Sequence, residues 1–234
     1  MMRRRDVMTT ALRDAIPIII AYFPLSMTFG VLASASGLPA LYSIFSSIWV
    51  YSGGAQFMLV SMFAETVVPL TIITTILLVN MRHVLYGATL GPSVKEWREP
   101  YKWLAALGLT DEVFAVVSSR VTKGEQLTPT YYLTFALSAY ASWIMGTIAG
   151  SGLGGAVTPD VANILSFALP ALFLALLFGG QRGWASMLSA CTGAIVATVA
   201  SMLHLGGIGL VAGGLLGATI GLLVARKLRP KQTN

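Results

Sequence analysis

Apolar runs, each about as long as a membrane is thick, fill most of the chain and predict transmembrane helices. A helix needs about 20 residues to cross the hydrocarbon core of a bilayer, which is about 30 Å thick. Windows of this length place about eight spans, near residues 15–36, 40–63, 66–90, 103–120, 130–152, 162–179, 184–203 and 207–225. Glycine and proline mark the gaps between them, so the loops are short. The pattern predicts an all-α integral membrane protein, with a single transmembrane domain over residues 1–234.

Two of the predicted spans carry a proline near the centre, Pro24 in the first and Pro170 in the sixth. Proline removes an intrahelical hydrogen bond, so we expect each span to be interrupted there. Paired interruptions in corresponding positions of two halves indicate an inverted repeat with a binding site at the bilayer midplane. Membrane helices also tolerate proline kinks without any repeat. Both interpretations remain open at this point.

The composition agrees with a membrane protein. Of 234 residues, 56% are hydrophobic and 10% are charged, whereas soluble domains carry roughly 25% charged residues. The net charge of +6 comes from the chain ends and short loops, which indicates topology rather than binding to nucleic acid. With one cysteine and no phosphate-binding loop, we expect no disulfide framework, no cysteine-based metal site, no ATP site and no cofactor.

The distribution of basic residues predicts the orientation. Arginine and lysine precede span one and follow spans four, six and eight. In an eight-span protein these loops lie on one side, which the positive-inside rule identifies as the cytoplasm, so both termini are expected there at a bacterial inner membrane. Lys95, Arg98 and Lys102 lie on the wrong side. A broken or re-entrant segment before that loop would remove the conflict.

Span three contains charge where a membrane helix rarely carries it. The apolar residues 67–79 would cross only about 20 Å of the core, so Arg82 and His83 lie in the membrane or in a deep cavity. A buried arginine costs at least about 2.5–3.5 kcal/mol and usually faces a partner, a cavity or a pathway. On a helix, Asn80 and His83 share one face, with Arg82 and Tyr86 beside it. This polar stripe is a candidate substrate contact.

Span four has two adjacent carboxylates at its centre, Asp111 and Glu112. Neighbouring residues on a helix point about 100° apart, so the two groups need not share one role. Intramembrane carboxylates serve as proton relays in transporters. A structural ion pair between Asp111 and Arg82 is the alternative, and the sequence leaves both open.

Glycines predict two further features. In span two, Gly53 and Gly54 each weaken the helix by about 1 kcal/mol, so we expect this centre to be unwound or closely packed. Unwound backbone at membrane depth can bind the charged groups of a substrate. In span eight, Gly213, Gly217 and Gly221 form a small-residue face that is typical of contact with another helix, in this chain or in a partner.

Five segments resemble the AzlC-type branched-chain amino acid permeases, the large subunits of bacterial two-component exporters. The resemblance covers nearly the whole chain and is carried by residues 24–30, 52–57, 80–87, 109–115 and 169–173. It implies export of valine, leucine and isoleucine, with methionine as a further candidate, and a small AzlD-type membrane subunit as partner. The predicted substrate-binding residues are Pro24, Ser26, Ser52, Gly53, Gly54, Gln56, Asn80, Arg82, His83 and Tyr86, and the predicted proton-coupling residues are Asp111 and Glu112.

The leading hypothesis is therefore a proton-coupled secondary exporter and not an enzyme. One competitor is a membrane-embedded hydrolase with Ser52 as nucleophile and His83 or His204 as base. The Gly-x-Ser-x-Gly elbow that exposes such a serine is absent. Another competitor is a channel for small solutes, which saturation and counterflow measurements would distinguish from a carrier.

Overall fold

The computed structural model describes residues 4–158, 160–161, 164, 167, 171, 183–203 and 206–228. Every regular element in these residues is helical, which confirms the all-α class. The chain divides into two compact units, one formed by Met1–Ile76 with Asn80–Leu169 and the other by Leu77–Val79 with Pro170–Asn234. The single domain over 1–234 stays a prediction.

The helices follow the predicted spans, but several spans consist of two helices. In chain order they are α1 (Arg4–Ala35), α2 (Ala40–Trp49), α3 (Gly53–Ala64), α4 (Pro69–Asn80), α5 (Arg82–Val94), α6 (Glu99–Leu107), α7 (Asp111–Thr122), α8 (Pro129–Leu153), α9 (Trp184–Met202) and α10 (Gly206–Leu228). A short 3-10 helix, Gly154–Ala156, follows α8. Predicted span six, residues 162–179, lies almost entirely outside the described residues, so the count of eight stays a prediction.

Four helical segments in the described residues are long and apolar enough to cross a membrane. They are α1, α8, α9 and the segment Pro69–Val94, which joins α4 and α5. The helices α2 and α3 are apolar but shorter. Length and composition thus agree with a protein that crosses the membrane several times.

The first helix is longer and more continuous than the sequence predicts. It begins at Arg4 rather than near residue 15 and runs for 32 residues with Pro17 and Pro24 inside it. The expected interruption at Pro24 is therefore wrong, and the tolerance of membrane helices for proline is the better description. Pro170, the matching position in span six, lies outside the described residues, so the inverted repeat stays a prediction.

Helices α1 and α8 pack closely along their length because glycines of each helix face the backbone of the other. A Cβ atom added at Gly30 would meet the carbonyl oxygen of Thr147 at 2.5 Å, and one added at Gly150 would collide with the carbonyl of Met27. Gly146 faces α1 in the same way. The absence of side chains lets two backbones approach. Gly30, Gly146 and Gly150 are therefore packing positions.

In the other unit, α9 and α10 pack through the small-residue face of predicted span eight. A Cβ atom at Gly213 would lie 2.6 Å from the carbonyl oxygen of Gly193, and one at Gly217 would lie 2.5 Å from that of Ser189. Gly221 also faces Ser189. The face is thus occupied by α9 of the same chain, which is one of the two alternatives that the sequence left open.

One end of the first unit is joined by a charged cluster. Arg120 forms ion pairs with Asp14 at 2.8 Å and with Glu125, and its guanidinium lies 4.2 Å from the ring centre of Tyr131. Tyr131 also donates a hydrogen bond to Asp14 at 2.7 Å. The cluster brings the polar start of α1 beside the end of α7 and the start of α8. This agrees with the prediction that the basic residues before span one and after span four share a side.

Candidate functional site

Three interruptions in predicted spans meet at a cleft of about 230 Å³. The first lies at residues 50–52 between α2 and α3, the second at Met81 between α4 and α5, and the third at residues 108–110 between α6 and α7. Met81 keeps right-handed helical dihedral angles, so the second is a local irregularity rather than a full break. All three contribute to the cleft, through Val50 and Tyr51, Asn80 and His83, and Leu107 and Leu109.

The first interruption agrees only in part with the prediction for span two. The unwound residues precede the glycine pair, and Gly53 is the first residue of α3. A Cβ atom at Gly53 would lie 2.8 Å from the ring of Trp143, so this glycine also permits close packing. Ser52 is the N-cap residue of α3, but its side chain accepts no hydrogen bond from the helix. The first backbone N–H groups of a helix have no intrahelical partner, and here Ser52 does not supply one.

The sequence does not predict the third interruption, because its hydropathy indicates span four as one helix with Asp111 at the centre. Instead α6 ends at Leu107 and a new helix, α7, begins at Asp111. The hydroxyl of Thr110 caps α7 by accepting a hydrogen bond from the N–H of Val113 at 3.3 Å. A threonine followed by two acidic residues is a sequence signal for a helix start. That signal, read without the assumption of one continuous span, identifies the break.

Tyr51 is one of the cleft residues that the predicted site does not include. Its backbone has φ of 38°, a region that costs a residue other than glycine roughly 1–3 kcal/mol unless its surroundings hold it there. The side chain is only 4% exposed, and its hydroxyl is buried without a hydrogen-bond partner. Its ring packs edge-on against that of Tyr140, at 4.7 Å between centres. Nothing in the local sequence indicates this conformation.

Arg82 and Asp111 form an ion pair of 2.7 Å between α5 and α7, with side chains 26% and 23% exposed. Tyr86 donates a hydrogen bond of 2.6 Å to the other oxygen of Asp111. The carboxylate also lies in the first turn of α7, where the helix dipole favours negative charge. Arg82 reaches toward Ser52 with a long hydrogen bond of 3.5 Å. The structure therefore brings together four of the residues that the sequence singled out.

Glu112 has different neighbours from Asp111, in keeping with the expected difference in direction. Tyr22 of α1 donates a hydrogen bond of 2.5 Å to Glu112 and lies 2.7 Å from the hydroxyl oxygen of Thr110. Because the single hydroxyl hydrogen of Tyr22 goes to Glu112, Thr110 is the donor in the second bond. No salt bridge involves Glu112 among the residues that the structure describes.

Gln56 belongs to a buried network beside the cleft residues, not to the lining of the cleft. Its amide nitrogen donates to the hydroxyls of Ser46 at 3.1 Å and Ser47 at 2.8 Å. Its amide oxygen accepts a hydrogen bond of 2.9 Å from the indole of Trp143. With both N–H groups and the oxygen engaged, Gln56 joins α2, α3 and α8. Its role as a substrate ligand stays a prediction.

The remaining predicted ligands do not all lie together. Asn80 and His83 line the cleft, and His83 contacts the carbonyl oxygen of Asn80 at 3.1 Å. Ser26 is fully buried in α1 and donates a hydrogen bond of 3.1 Å to the carbonyl of Phe23. Pro24 and Gly54 do not line the cleft. Their roles in binding stay predictions.

The contacts give no support to the hydrolase alternative. A nucleophilic serine needs a base within hydrogen-bond distance. The hydroxyl of Ser52 accepts a hydrogen bond from Arg82, while the ring of His83 contacts the backbone of Asn80. Arginine stays protonated and is no base. His204, the other base considered, lies outside the described residues.

Helices long and apolar enough to cross a membrane, with polar groups gathered at interruptions inside them, define the chain as an α-helical integral membrane protein. Residues 17–157 match the model of the family described as AzlC protein. No solved structure matches the chain significantly.

Three relatives show how far the similarity extends. A protein named Uncharacterized membrane protein from Archaeoglobus fulgidus is 33% identical over 203 residues, which are 86% of this chain and 88% of the relative. Inner membrane protein YgaZ of Escherichia coli (strain K12) is 32% identical over 195 residues, 81% of this chain and 79% of the relative. Branched-chain amino acid transport protein AzlC of Bacillus subtilis (strain 168) is 26% identical over 215 residues, 88% of this chain and 82% of the relative.

The chain belongs to the AzlC family. The resemblance and the membrane location predicted from the sequence are thereby confirmed. Membership supports a role in transport and fits the prediction that the protein is not an enzyme.

Proposed function

We propose that the protein is a proton-coupled secondary exporter of valine, leucine and isoleucine, with methionine as a further substrate, in a bacterial inner membrane. The observation that carries the proposal is the Arg82–Asp111 ion pair, which lies beside a cleft where three interrupted spans meet. Broken helices at membrane depth are the usual binding sites of secondary transporters. The name of the Bacillus subtilis relative supports the choice of substrates.

The ion pair offers a means of coupling substrate to conformation. The guanidinium of Arg82 has its Nη1 atom on Asp111, and a substrate carboxylate is chemically similar to that partner. Arginine binds carboxylates with two parallel hydrogen bonds. Exchange of Asp111 for a substrate carboxylate would loosen the contact between α5 and α7. Tyr86, which also bonds Asp111, would hold the released carboxylate in place.

Proton coupling is assigned to the carboxylates at the start of α7, with Glu112 as the carrier. Asp111 is already paired with Arg82, so protonation of this carboxylate would break an ion pair. Glu112 is hydrogen-bonded to Tyr22, a neutral group, so protonation breaks no ion pair. Asp111 thus pairs with Arg82, and its neighbour Glu112 carries the proton.

A small AzlD-type membrane subunit is proposed as the partner, and both termini are proposed to lie in the cytoplasm. The partner rests on the family resemblance alone, because the small-residue face of α10 is occupied by α9. The charged cluster around Arg120 and Asp14 supports a common side for the N-terminus and the loop after α7.

The test is efflux from vesicles loaded with each of the twenty amino acids, with and without an imposed proton gradient and with and without the small subunit. Saturable efflux of valine, leucine and isoleucine that the gradient accelerates supports the proposal. Counterflow distinguishes a carrier from a channel, since only in a carrier can a gradient of unlabelled substrate drive labelled substrate in the opposite direction. Flux that neither saturates nor shows counterflow contradicts an exporter. Gradient-independent flux contradicts the coupling alone.

A further inference from the structure

Buried polar atoms that have no hydrogen-bond partner indicate what kind of ligand the cleft binds. In the described residues five side-chain atoms are in this position, and three of them belong to Tyr51, Asn80 and Arg82 at the first two interruptions. Tyr51 and Asn80 line the cleft, and Arg82 contacts Ser52, the neighbour of Tyr51. Buried polar groups in native proteins are nearly always hydrogen-bonded. Three exceptions in one place point to a ligand that bonds them.

The three atoms differ in chemistry and together suit a zwitterion. Arg82 offers Nε–H, a charged donor that the ion pair with Asp111 does not use. Asn80 offers its amide oxygen, an acceptor. Tyr51 offers a hydroxyl, which can donate or accept. A substrate carboxylate can accept hydrogen bonds from Arg82 and Tyr51, and a substrate ammonium can donate one to Asn80.

The backbone at the first interruption also suits a zwitterion, because one helix ends and another begins there. The carbonyl end of α2 and the amide end of α3 are separated by residues 50–52, with Tyr51 in the left-handed region. Helix carbonyl ends attract cations and helix amide ends attract anions. Because the side chain of Ser52 does not cap α3, the first amides of this helix remain able to bind a carboxylate.

The size and lining of the cleft limit the side chain of the ligand. Its volume of about 230 Å³ lies below the range of about 300–1,000 Å³ that is typical for drug-sized ligands. Val50, Leu107 and Leu109 give it apolar walls. A short branched side chain suits both the volume and the walls. Such a pocket separates neighbours that differ by one methylene only weakly, by about 10–200-fold.

We infer that this cleft binds a zwitterionic amino acid with a small apolar side chain, and that Tyr51 and Asn80 are ligands of its charged groups. The inference deepens the proposed function and rests on it. It adds a ligand residue, Tyr51, which lies between α2 and α3 with a strained backbone and lines the cleft.

The first experiment measures binding and exchange separately. Purified full-length protein is titrated with valine by calorimetry, and valine homoexchange is measured in vesicles without a proton gradient. Tyr51→Phe and Asn80→Leu should each weaken valine binding and raise the KM of exchange about tenfold or more, because each removes a hydrogen bond to a charged group. Tyr42→Phe is the matched control, since Tyr42 is 61% exposed on α2 and does not line the cleft.

The outcomes separate the inference from the proposed function. Valine binding that Tyr51→Phe weakens, in a protein that moves no amino acid, supports the site and contradicts the exporter. Wild-type flux and affinity in both variants contradicts the site and leaves the exporter standing. No valine binding and no valine flux in the wild type contradicts both.

A second variant tests the side-chain pocket and does not depend on the folding of the first two. Ala106 lines the cleft at its exposed edge, so Ala106→Leu narrows the space for a substrate side chain. Leucine should lose affinity at least about tenfold relative to alanine, the size of effect that one or two methylenes produce in a pocket. Ala88→Leu, at an exposed position of α5 outside the cleft, is the control. An unchanged leucine-to-alanine preference would overturn the assignment of this pocket.

Discussion

The guanidinium of Arg82 and the carboxylate of Asp111 lie 2.7 Å apart, so one ion pair joins the starts of two helices inside predicted spans. The sequence left a structural pair and a proton carrier open as roles for Asp111. The observed contact favours the pair. In the proposed function, a substrate carboxylate replaces Asp111 on Arg82.

The ion pair predicts a pattern of stability in a double-mutant cycle. Arg82→Gln and Asp111→Asn should each destabilise the protein, because each leaves one charge without its partner. The expected loss lies below the about 3–5 kcal/mol of a fully buried pair, since both side chains keep about a quarter of their exposure. The double variant should recover part of it. Thermal unfolding in detergent measures all three, and additive losses would argue against coupling between the two residues.

Glu112 and Asp111 should differ in their effect on coupling. Glu112→Gln should abolish proton-driven substrate movement and leave homoexchange measurable, because glutamine keeps the shape but cannot ionise. Tyr22→Phe removes the donor to Glu112 and should change the pH profile of transport while expression stays normal. Flux with and without a proton gradient provides the measurement. If Asp111→Asn gives the uncoupled phenotype and Glu112→Gln does not, the carrier is Asp111.

Gln56 should behave as a structural residue. Gln56→Leu leaves the indole N–H of Trp143 buried without its acceptor, which should cost about 1–3 kcal/mol. Adding Trp143→Phe removes that donor and should recover part of the loss. Exchange kinetics of the folded fraction distinguish a structural role from a role in binding. Loss of a structural residue lowers the amount of folded protein, whereas loss of a substrate ligand raises the KM. A raised KM with normal stability would indicate that Gln56 binds the substrate.

Gly150 should be intolerant of the smallest side chain. Gly150→Ala places a methyl group against the carbonyl of Met27 on α1, and such overpacking typically costs about 1–3 kcal/mol or more. Gly152→Ala on the same helix is the control, because a Cβ atom there meets nothing within 4 Å. Folded yield and thermal unfolding of the two variants should diverge, and equal stability would contradict the close approach of α1 and α8.

The sequence predicts the helical class and the unusual polar residues because both follow from local chemistry. Arg82 and Asp111 are conspicuous in apolar spans, and a charge in that setting requires a partner, so their pairing could be anticipated. The Tyr22–Glu112 bond joins residues 90 positions apart, and no local pattern indicates it. The positive φ of Tyr51 is set by the way α2 and α3 are held, and an aromatic residue gives no local sign of it. Hydropathy does not reveal the break before Asp111, because it is an average over a window that includes both α6 and α7.

The glycine contacts between α1 and α8 also limit how the protein can move. Backbones that touch through Gly30, Gly146 and Gly150 cannot slide past each other without collisions, because packed interfaces switch between discrete arrangements. Alternating access would then leave this pair as a stationary frame, and within the first unit the rearrangement would fall to the interrupted helices α2 to α7. A covalent tether between α1 and α8 would in that case be silent in a transport assay, whereas one across the cleft would stop the cycle.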